Sequence, residues 1–483
     1  MSNYLSPDVY LENKDGPKVD TAIAIGVAGF VGITQRGVLN KGVRISSWNQ
    51  FISNYAQGMN SPFIASADLA YAVYGFFQNG GSDCVIVRTA HSTAAKAASV
   101  GVSGFTATLT AKDEGTWGNG LKLSVTANED TPANFDVTIK LGSVAVEVIK
   151  NLCNTTTDNN YWVSRIDVES AYVTAGTGPL AVTAADIAFS AGADGVSDIA
   201  DTDFVSALTA FDSFDDISYI AVPGQTTQAV CTGLTNYCTA DKDIVPVLEA
   251  PKTANAAAVK ALRKTNENDT GVLVWPWGYV TDPLSTLAAP NNIRACPPSG
   301  HYMGVMSRIA NKRGIWKAPA GTEAVVKGFV SLVTSVTKSD MDILNPAGVV
   351  SIIAKTNYGI IVWGARSLNS ETSCFKYVSD LLLDAYIKRK CRVLGMPFVF
   401  EPNCAQTWTS IQSSVAAFMN NLYQKGAFSG SKPAESYYVK CDGDLNDTHV
   451  QNNDGIVETE VGYANVKPGE FIVFRFAHDI SNA

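Results

Sequence analysis

The sequence predicts a multidomain α/β and α+β protein: an α/β core split by an inserted β-rich domain, then a C-terminal α+β domain, with an extended arm at each end. Three observations carry this. Short apolar strands alternate with helical stretches over 21–94 and again over 191–368, which implies a largely parallel sheet with right-handed crossovers. Between these spans, 95–190 alternates apolar and polar residues with period two and shows no long helix. After 369, two long stretches place apolar residues three to four apart, the spacing of amphipathic helices. With 483 residues and 46% hydrophobic content, the chain has material for roughly two to four domains with cores of their own.

In order along the chain, residues 1–20 read as an N-terminal arm. "SPDVYLEN" puts Val9 and Leu11 on one side and Tyr10 and Glu12 on the other, between Pro7 and Pro17. Residues 21–94 hold the strand "AIAIGVAGFVGIT", the helix "SADLAYAVYGFFQNGG" and the buried strand "CVIVR"; Gly80-Gly81 ends the helix. In 95–190, "GFTATLTAKDEG", "LKLSVTAN", "FDVTIKLG" and "VAVEVIKN" are strands separated by turn residues. From 191 to 368, "ISYIAVPG", "DIVPVLEA", "GVLVWPWG" and "GIIVWGA" are core strands, with "TTQAVCTGLTNYC" and "NAAAVKALRKT" as crossover helices. In 369–483, Phe375, Val378, Leu382 and Ala385 stripe one helix; Trp408, Ile411, Val415, Phe418 and Leu422 stripe a second, which stops at Gly426. "ESYYVKCD", "GIVETEVGYANV" and "EFIVFRF" finish the domain as strands.

Composition narrows the function. A net charge of −9 argues against a nucleic-acid-binding face. No apolar run approaches the roughly 18–20 residues that cross a bilayer, so membrane insertion is not expected. The start of the chain, "MSNYLSPDVYLENKDG", has no basic or apolar region of a signal peptide. Nine scattered cysteines, an odd number mostly within apolar runs, read as reduced thiols of a cytoplasmic fold.

The motifs of chemistry are missing. Gly26, Gly29 and Gly32 do not make a G-x-G-x-x-G and read as close backbone packing. "GVLNKGVR" lacks the Lys-Ser/Thr of a phosphate-binding loop, and no G-x-S-x-G elbow occurs. The histidines are 91, 301, 449 and 478, none in a metal-binding spacing. Cys231 and Cys238 have no second ligand pair. His301 in "PPSGHYMGV" reads as a satisfied structural histidine rather than a base. No cofactor and no metal are expected, and the balance moves from enzyme to assembly protein.

"VAGFVGITQRG", "SSWNQFISNYA", "LAYAVYGFFQNGGSDCVIVR", "EGTWGNGLKLSV", "VWPWGYVTDP", "CPPSGHYMGVMSRI", "RGIWKAPAG", "LNPAGVVSII", "GIIVWGARSL" and "VGYANVKPGEFIVFRF" follow one another along the chain. This ordered series resembles the contractile tail sheath proteins of bacteriophages and phage-tail-like injection systems. "SPDVY" departs from the family by carrying Asp8 where Gly is common, and 95–190 matches only in patches. The resemblance implies a subtilisin-like strand order in the α/β core, an outward-facing insert, and a C-terminal domain facing an inner tube. It implies a structural subunit, not an enzyme, that polymerises as a helical stack of rings with six-fold symmetry around the tube. The sheath then contracts to drive the tube through a target cell envelope. Implied partners are copies of itself, the inner tail tube protein, and baseplate and tail terminator proteins. The implied place is a virion tail or similar particle assembled in a bacterial host cytoplasm. The alternative class is a hydrolase on the α/β domain.

The last strand sharpens the expectation. Ile472, Phe474 and Phe476 point one way; Phe471, Val473 and Arg475 point the other. Burying its five large apolar side chains is worth roughly 7–15 kcal/mol as an upper bound, so the strand belongs in a sheet. Either that sheet is the chain's own, or it is completed between copies by β-augmentation. The inter-subunit reading names Val9, Tyr10 and Leu11 of the first arm and Val457, Val461 and Tyr463 near the end. It also names Phe471, Ile472, Val473, Phe474 and Phe476. Lys388, Arg389, Lys390 and Arg392 form the densest basic cluster, at a helix end where cations suit the dipole. That cluster, or the face of the 405–425 helix, is the expected contact with the inner tube.

Overall fold

The computed structural model describes residues 26–101, 107–183, 185–239, 243–267, 270–369, 375–446 and 455–473. Its centre is an eight-stranded sheet. From one edge the strands run Gly42–Ile45, Cys84–Arg88, Val27–Gly32, Ile217–Ala221, Val245–Glu249, Val272–Trp275, Val349–Lys355 and Gly359–Val362. The six inner strands are parallel, and one antiparallel strand closes each edge. The parallel strands are near-continuous apolar runs because both faces are covered. Ala28, Phe30, Cys84, Ile86, Val272 and Val274 enter one core, while Val27, Val31, Val85, Val87, Leu273 and Trp275 enter the other.

The glycines of "GVAGFVG" mark close approach, as expected. A Cβ at Gly29 would lie 2.8 Å from Ile220 Cγ1, and one at Gly32 would lie 2.9 Å from Leu69 Cβ. On the first face lie the helices Leu69–Gln78 and Ser299–Arg313. The latter begins directly after Pro297-Pro298 and is buried along most of its length, because glycines let it touch its neighbour's main chain. A Cβ at Gly300 would stand 2.1 Å from the Ala72 carbonyl oxygen. On the second face lie Asp201–Ala207, Gln228–Thr239, Ala256–Thr265 and Lys338–Leu344.

The 95–190 span folds around a separate core that includes Trp117, Leu123, Val137, Ile139, Trp162 and Phe189. It contains a four-stranded antiparallel sheet, with Leu121–Ala127, Phe135–Leu141 and Val144–Leu152 as its long strands, and a three-stranded one. The span is β-rich as expected, with one short helix, Trp162–Glu169, that packs Trp162 and Ile166 into this core. The short ladder Ala95–Lys96 with Ala193–Asp194 joins the two chain crossings into the insert. Two buried arginines of the core then lock it. Arg36 pairs with Asp113 at 3.2 Å, donates to the Ala171 carbonyl at 2.9 Å, and stacks 4.2 Å from the Trp117 ring. Arg88 donates to the Glu114 carbonyl at 2.8 Å.

The C-terminal unit comprises the helices Val378–Gly395 and Ala405–Gln424 and an antiparallel ladder of Tyr437–Lys440 with Glu460–Tyr463. Leu381, Leu382, Val415, Met419, Leu422 and Phe428 continue the first-face core without a break. Of the eight cysteines among the described residues six are buried, Cys391 is half-buried and Cys404 is exposed; Cys374 lies outside those residues.

Candidate assembly interface

The chain's last described stretch is built in three steps. Glu460–Tyr463 is a strand of the subunit's own ladder, with Val461 facing Val439 and Tyr463 facing Tyr437 across it. This corrects the reading of Val461 and Tyr463 as residues of a donated arm. Both pack against the subunit's own core, since the alternation "VGY" finds a local partner in "YYVK". Val457 precedes the ladder, half-buried and outside any strand.

Next, 464–470 is tied to its neighbours by polar contacts. The Tyr463 hydroxyl donates to Asp384 at 2.5 Å, and Lys467 Nζ donates to Asp380 at 2.7 Å. Asp380 is 1% exposed and sits in the first turn of its helix, where a carboxylate suits the dipole. Glu470 then meets a preformed cradle. Arg366 donates to both its oxygens, from Nε at 3.0 Å and from a terminal nitrogen at 2.9 Å. Asn345 Nδ2 donates to it at 2.5 Å and the Tyr377 hydroxyl at 3.1 Å. Burial alone would push the Glu470 carboxyl up, but the hydrogen bonds from Arg366 and Asn345 outweigh it and hold the group below its usual range. Such a bidentate guanidinium–carboxylate pair fixes direction as well as position.

Immediately after this anchor the side chains face water. Phe471, Ile472 and Val473 are 74%, 79% and 75% exposed and belong to no strand. The expectation that this segment sits in a sheet of its own domain therefore fails for the described part of it. Three consecutive exposed large apolar residues are what a strand lacking its partner looks like. Beside them a cleft of about 660 Å³ opens between Trp316, Met341, Trp363 and the 466–471 backbone. Phe474 and Phe476 lie outside the described residues, as do Val9, Tyr10 and Leu11.

The structure divides the basic cluster. Lys388 and Arg392 have side chains 55% and 53% exposed; Lys388 pairs with Asp384 at 2.8 Å and Arg392 with Asp243 at 3.1 Å. Lys390 is half-buried. Arg389 is 3% exposed and turns inward, which corrects its reading as a tube contact. It donates to the carbonyls of Asp216 and Ile217, both at 2.9 Å, and to Ser218 Oγ at 3.1 Å. These acceptors sit at the start of the Ile217–Ala221 strand, so Arg389 fastens the C-terminal unit to the central sheet. The turn after its helix exposes Met396, Val399 and Phe400, a surface that periodicity did not single out.

His301 is buried against Phe329, ring centroids 4.2 Å apart, and burial pushes its pKa down to about 3, leaving it neutral. Its Nδ1 has no hydrogen-bond partner among the described residues, so it is structural but not satisfied as expected. Among the described residues no group of three or more His, Cys, Asp or Glu could hold a metal ion, and no helix is long and apolar enough to cross a membrane.

Comparison with known proteins agrees with this geometry. Residues 195–368 match the family described as phage tail sheath protein central domain. No curated protein matches the chain. Among solved structures, a sheath tail protein of Listeria innocua is similar at 13% identity and a TM-score of 0.66, over 91% of this chain and 95% of that one. A chain of the contracted sheath complex of the extracellular contractile injection system PVC aligns at 18% identity and a TM-score of 0.61, over 99% of each chain. A chain of the anti-feeding prophage baseplate aligns at 20% identity and a TM-score of 0.60, over 99% of this chain and 100% of that one. The resemblance read from the sequence is thus borne out by a family match across the centre and by a shared fold over nearly the whole length.

Proposed function

We propose that this chain is the structural subunit of a contractile tail sheath, one that polymerises around an inner tube and contracts to drive that tube through a target cell envelope. The observation that carries the reading is the anchored, unpartnered end: Glu470 is held by Arg366, Asn345 and Tyr377, and Phe471, Ile472 and Val473 follow it into solvent. A strand presented in this way completes a sheet in another copy by β-augmentation. Because the donating and receiving surfaces differ, the contact is head-to-tail and propagates as rings or helices. The central-domain match and the shared fold support the same reading.

The finer parts belong to the same proposal. The rings are six-fold, the N-terminal segment with Val9, Tyr10 and Leu11 is the second linking arm, and baseplate and terminator proteins cap the stack. The α/β core is subtilisin-like in strand order and acts as a scaffold. The particle is a virion tail or tail-like injection device assembled in a bacterial cytoplasm. Lys388, Lys390 and Arg392 face the inner tube. No observation favours the hydrolase alternative.

The test is negative-stain microscopy of the protein expressed with and without its inner tube protein. Hollow or filled tubes of stacked rings are expected. A stable monomer at high concentration in both preparations would overturn the proposal.

A further inference from the structure

Residues 466–470 are fastened unlike the chain before them. The ladder is closed by main-chain bonds, and so is Ala464, whose N–H donates to the Ser436 carbonyl at 2.9 Å and whose carbonyl accepts from Ser429 at 2.8 Å. Beyond that point, the contacts among the described residues come from side chains at three places, the first being Asn465, whose Nδ2 donates to Asp380 at 3.4 Å. Lys467, 48% exposed, reaches Asp380, and Glu470 reaches Arg366, Asn345 and Tyr377. Pro468 and Gly469, between them, have no polar side chain to contribute. The cleft bounded by Trp316, Met341 and Trp363 lies beside this stretch, which borders the hollow instead of filling it.

We infer that 466–470 is a releasable strap, latched at Glu470 and Lys467 while the sheath is extended and pulled free when the sheath contracts, which lengthens the tether between neighbouring copies. The inference rests on the sheath reading above. Its physical basis is the contrast in what water can replace. Lys467 is already 48% exposed and is rehydrated as it leaves, and lifting the strap uncovers Asp380 and Arg366, 1% and 8% exposed while it is in place, to the same water, whereas opening the ladder strips main-chain bonds and exposes its apolar face. A pull on Phe471–Val473 loads Glu470 first and Lys467 second, then stops at Asn465, which donates to Asp380, and at the main-chain bonds of Ala464. Freeing five residues adds at most about 17 Å of reach at 3.3–3.6 Å per extended residue. A ring that widens must separate neighbouring subunits, and a strap of this length lets them part without giving up the shared strand.

The test is zero-length carbodiimide cross-linking of assembled tubes, extended and contracted, with mass spectrometry of the Lys467–Asp380 amide. The amide is expected in extended tubes and lost in contracted ones. Independently, tubes of the double variant K467A/E470Q should contract at a lower guanidinium midpoint than wild type. Equal cross-linking in both states, or a double variant contracting at the wild-type midpoint, would overturn the strap while leaving the sheath reading intact. Failure of the wild-type protein to form any tube would overturn the sheath reading and the strap with it.

Discussion

Replacing Phe471, Ile472 and Val473 together with serine separates subunit folding from assembly. In the isolated subunit these side chains are 74%, 79% and 75% exposed, so about three quarters of their possible burial is unrealised. At roughly 1.5–3 kcal/mol for each fully buried large apolar side chain, completing that burial in a neighbour's sheet contributes about 3–7 kcal/mol per subunit. At 1.4 kcal/mol per tenfold, losing it raises the critical concentration for tube formation by about 10²–10⁵. The fold itself should barely notice, since exposed substitutions normally stay within about 0.5 kcal/mol each. The assays are pelleting against protein concentration for assembly, and thermal unfolding of the dilute subunit for stability. The expected result is a lost pellet at an unchanged Tm. Two outcomes would refute the reasoning: tubes at the wild-type critical concentration, or a Tm lowered by several degrees, which would place these residues in the subunit's own core.

Arg389→Ala should destabilise the subunit by roughly 2–5 kcal/mol in chemical denaturation, because it strips a buried cation from two carbonyls and Ser218. Lys388→Glu should leave the fold standing and weaken co-sedimentation with the inner tube; unchanged co-sedimentation would remove Lys388 from the tube contact. Arg36→Met should cost roughly 3–5 kcal/mol and expose the 95–190 insert to limited proteolysis, since it leaves Asp113 buried without its partner. Burial raises Glu249 from 4.5 to about 7, against the pull of hydrogen bonds from Ser299 and Gly224. A carboxyl raised on folding contributes stability that is full below pH 4.5 and lost as pH climbs through 7, about 3 kcal/mol in all. Denaturation midpoints should therefore fall across that window, and in Glu249→Gln the fall should flatten. Glu470 has the opposite sign: its carboxyl is held low, so its contribution persists above pH 4.5 and fades on further acidification. Trp fluorescence beside the cleft, compared with Glu470→Gln, should report that loss.

The parallel sheet was legible because burial on both faces writes itself as short unbroken apolar runs, as in "GVAGFVG" and "CVIVR". The two C-terminal helices were legible from their stripes, and Gly426, at φ +81, ends the second as its position implies. The helix Ser299–Arg313 was not, because Pro-Pro-Ser-Gly reads as a turn. Its glycines serve helix contact rather than chain reversal, and proline at a helix start costs no internal bond. Arg389 was misread for a related reason. Composition marks a basic cluster but says nothing about which member points at the open carbonyls of a strand 171–173 residues away. The anchor at Glu470 escaped entirely, since Arg366 and Asn345 stand 104 and 125 positions earlier. A hint was present in "VKPGEF": a cation and an anion flanking Pro-Gly just before an apolar run.

The placement of the buried guanidinium groups bears on where such a chain can change shape. Arg36 and Arg88 bind the insert to the core, and Arg389 binds the C-terminal helix to the core's first face. Moving any of these joints means stripping a buried cation of its acceptors, and the C-terminal joint also opens an apolar layer that runs unbroken from Phe30 to Met419. The region after Ala464 also meets a buried cation, Arg366 at 8% exposed, but among the described residues none of 464–473 belongs to an apolar core, so releasing Glu470 opens no apolar layer. Its contacts are polar, made by the partly exposed Lys467 and Glu470 to the buried Asp380 and Arg366, and Phe471, Ile472 and Val473 already face water. On the sheath reading proposed above, a load between copies would fall first on 466–473, where no apolar layer has to open, and the rest of the subunit would transmit it. On that same reading, the displacement of one copy against the next would therefore be set by the terminal segments, while the folded body would determine where each displaced copy comes to rest.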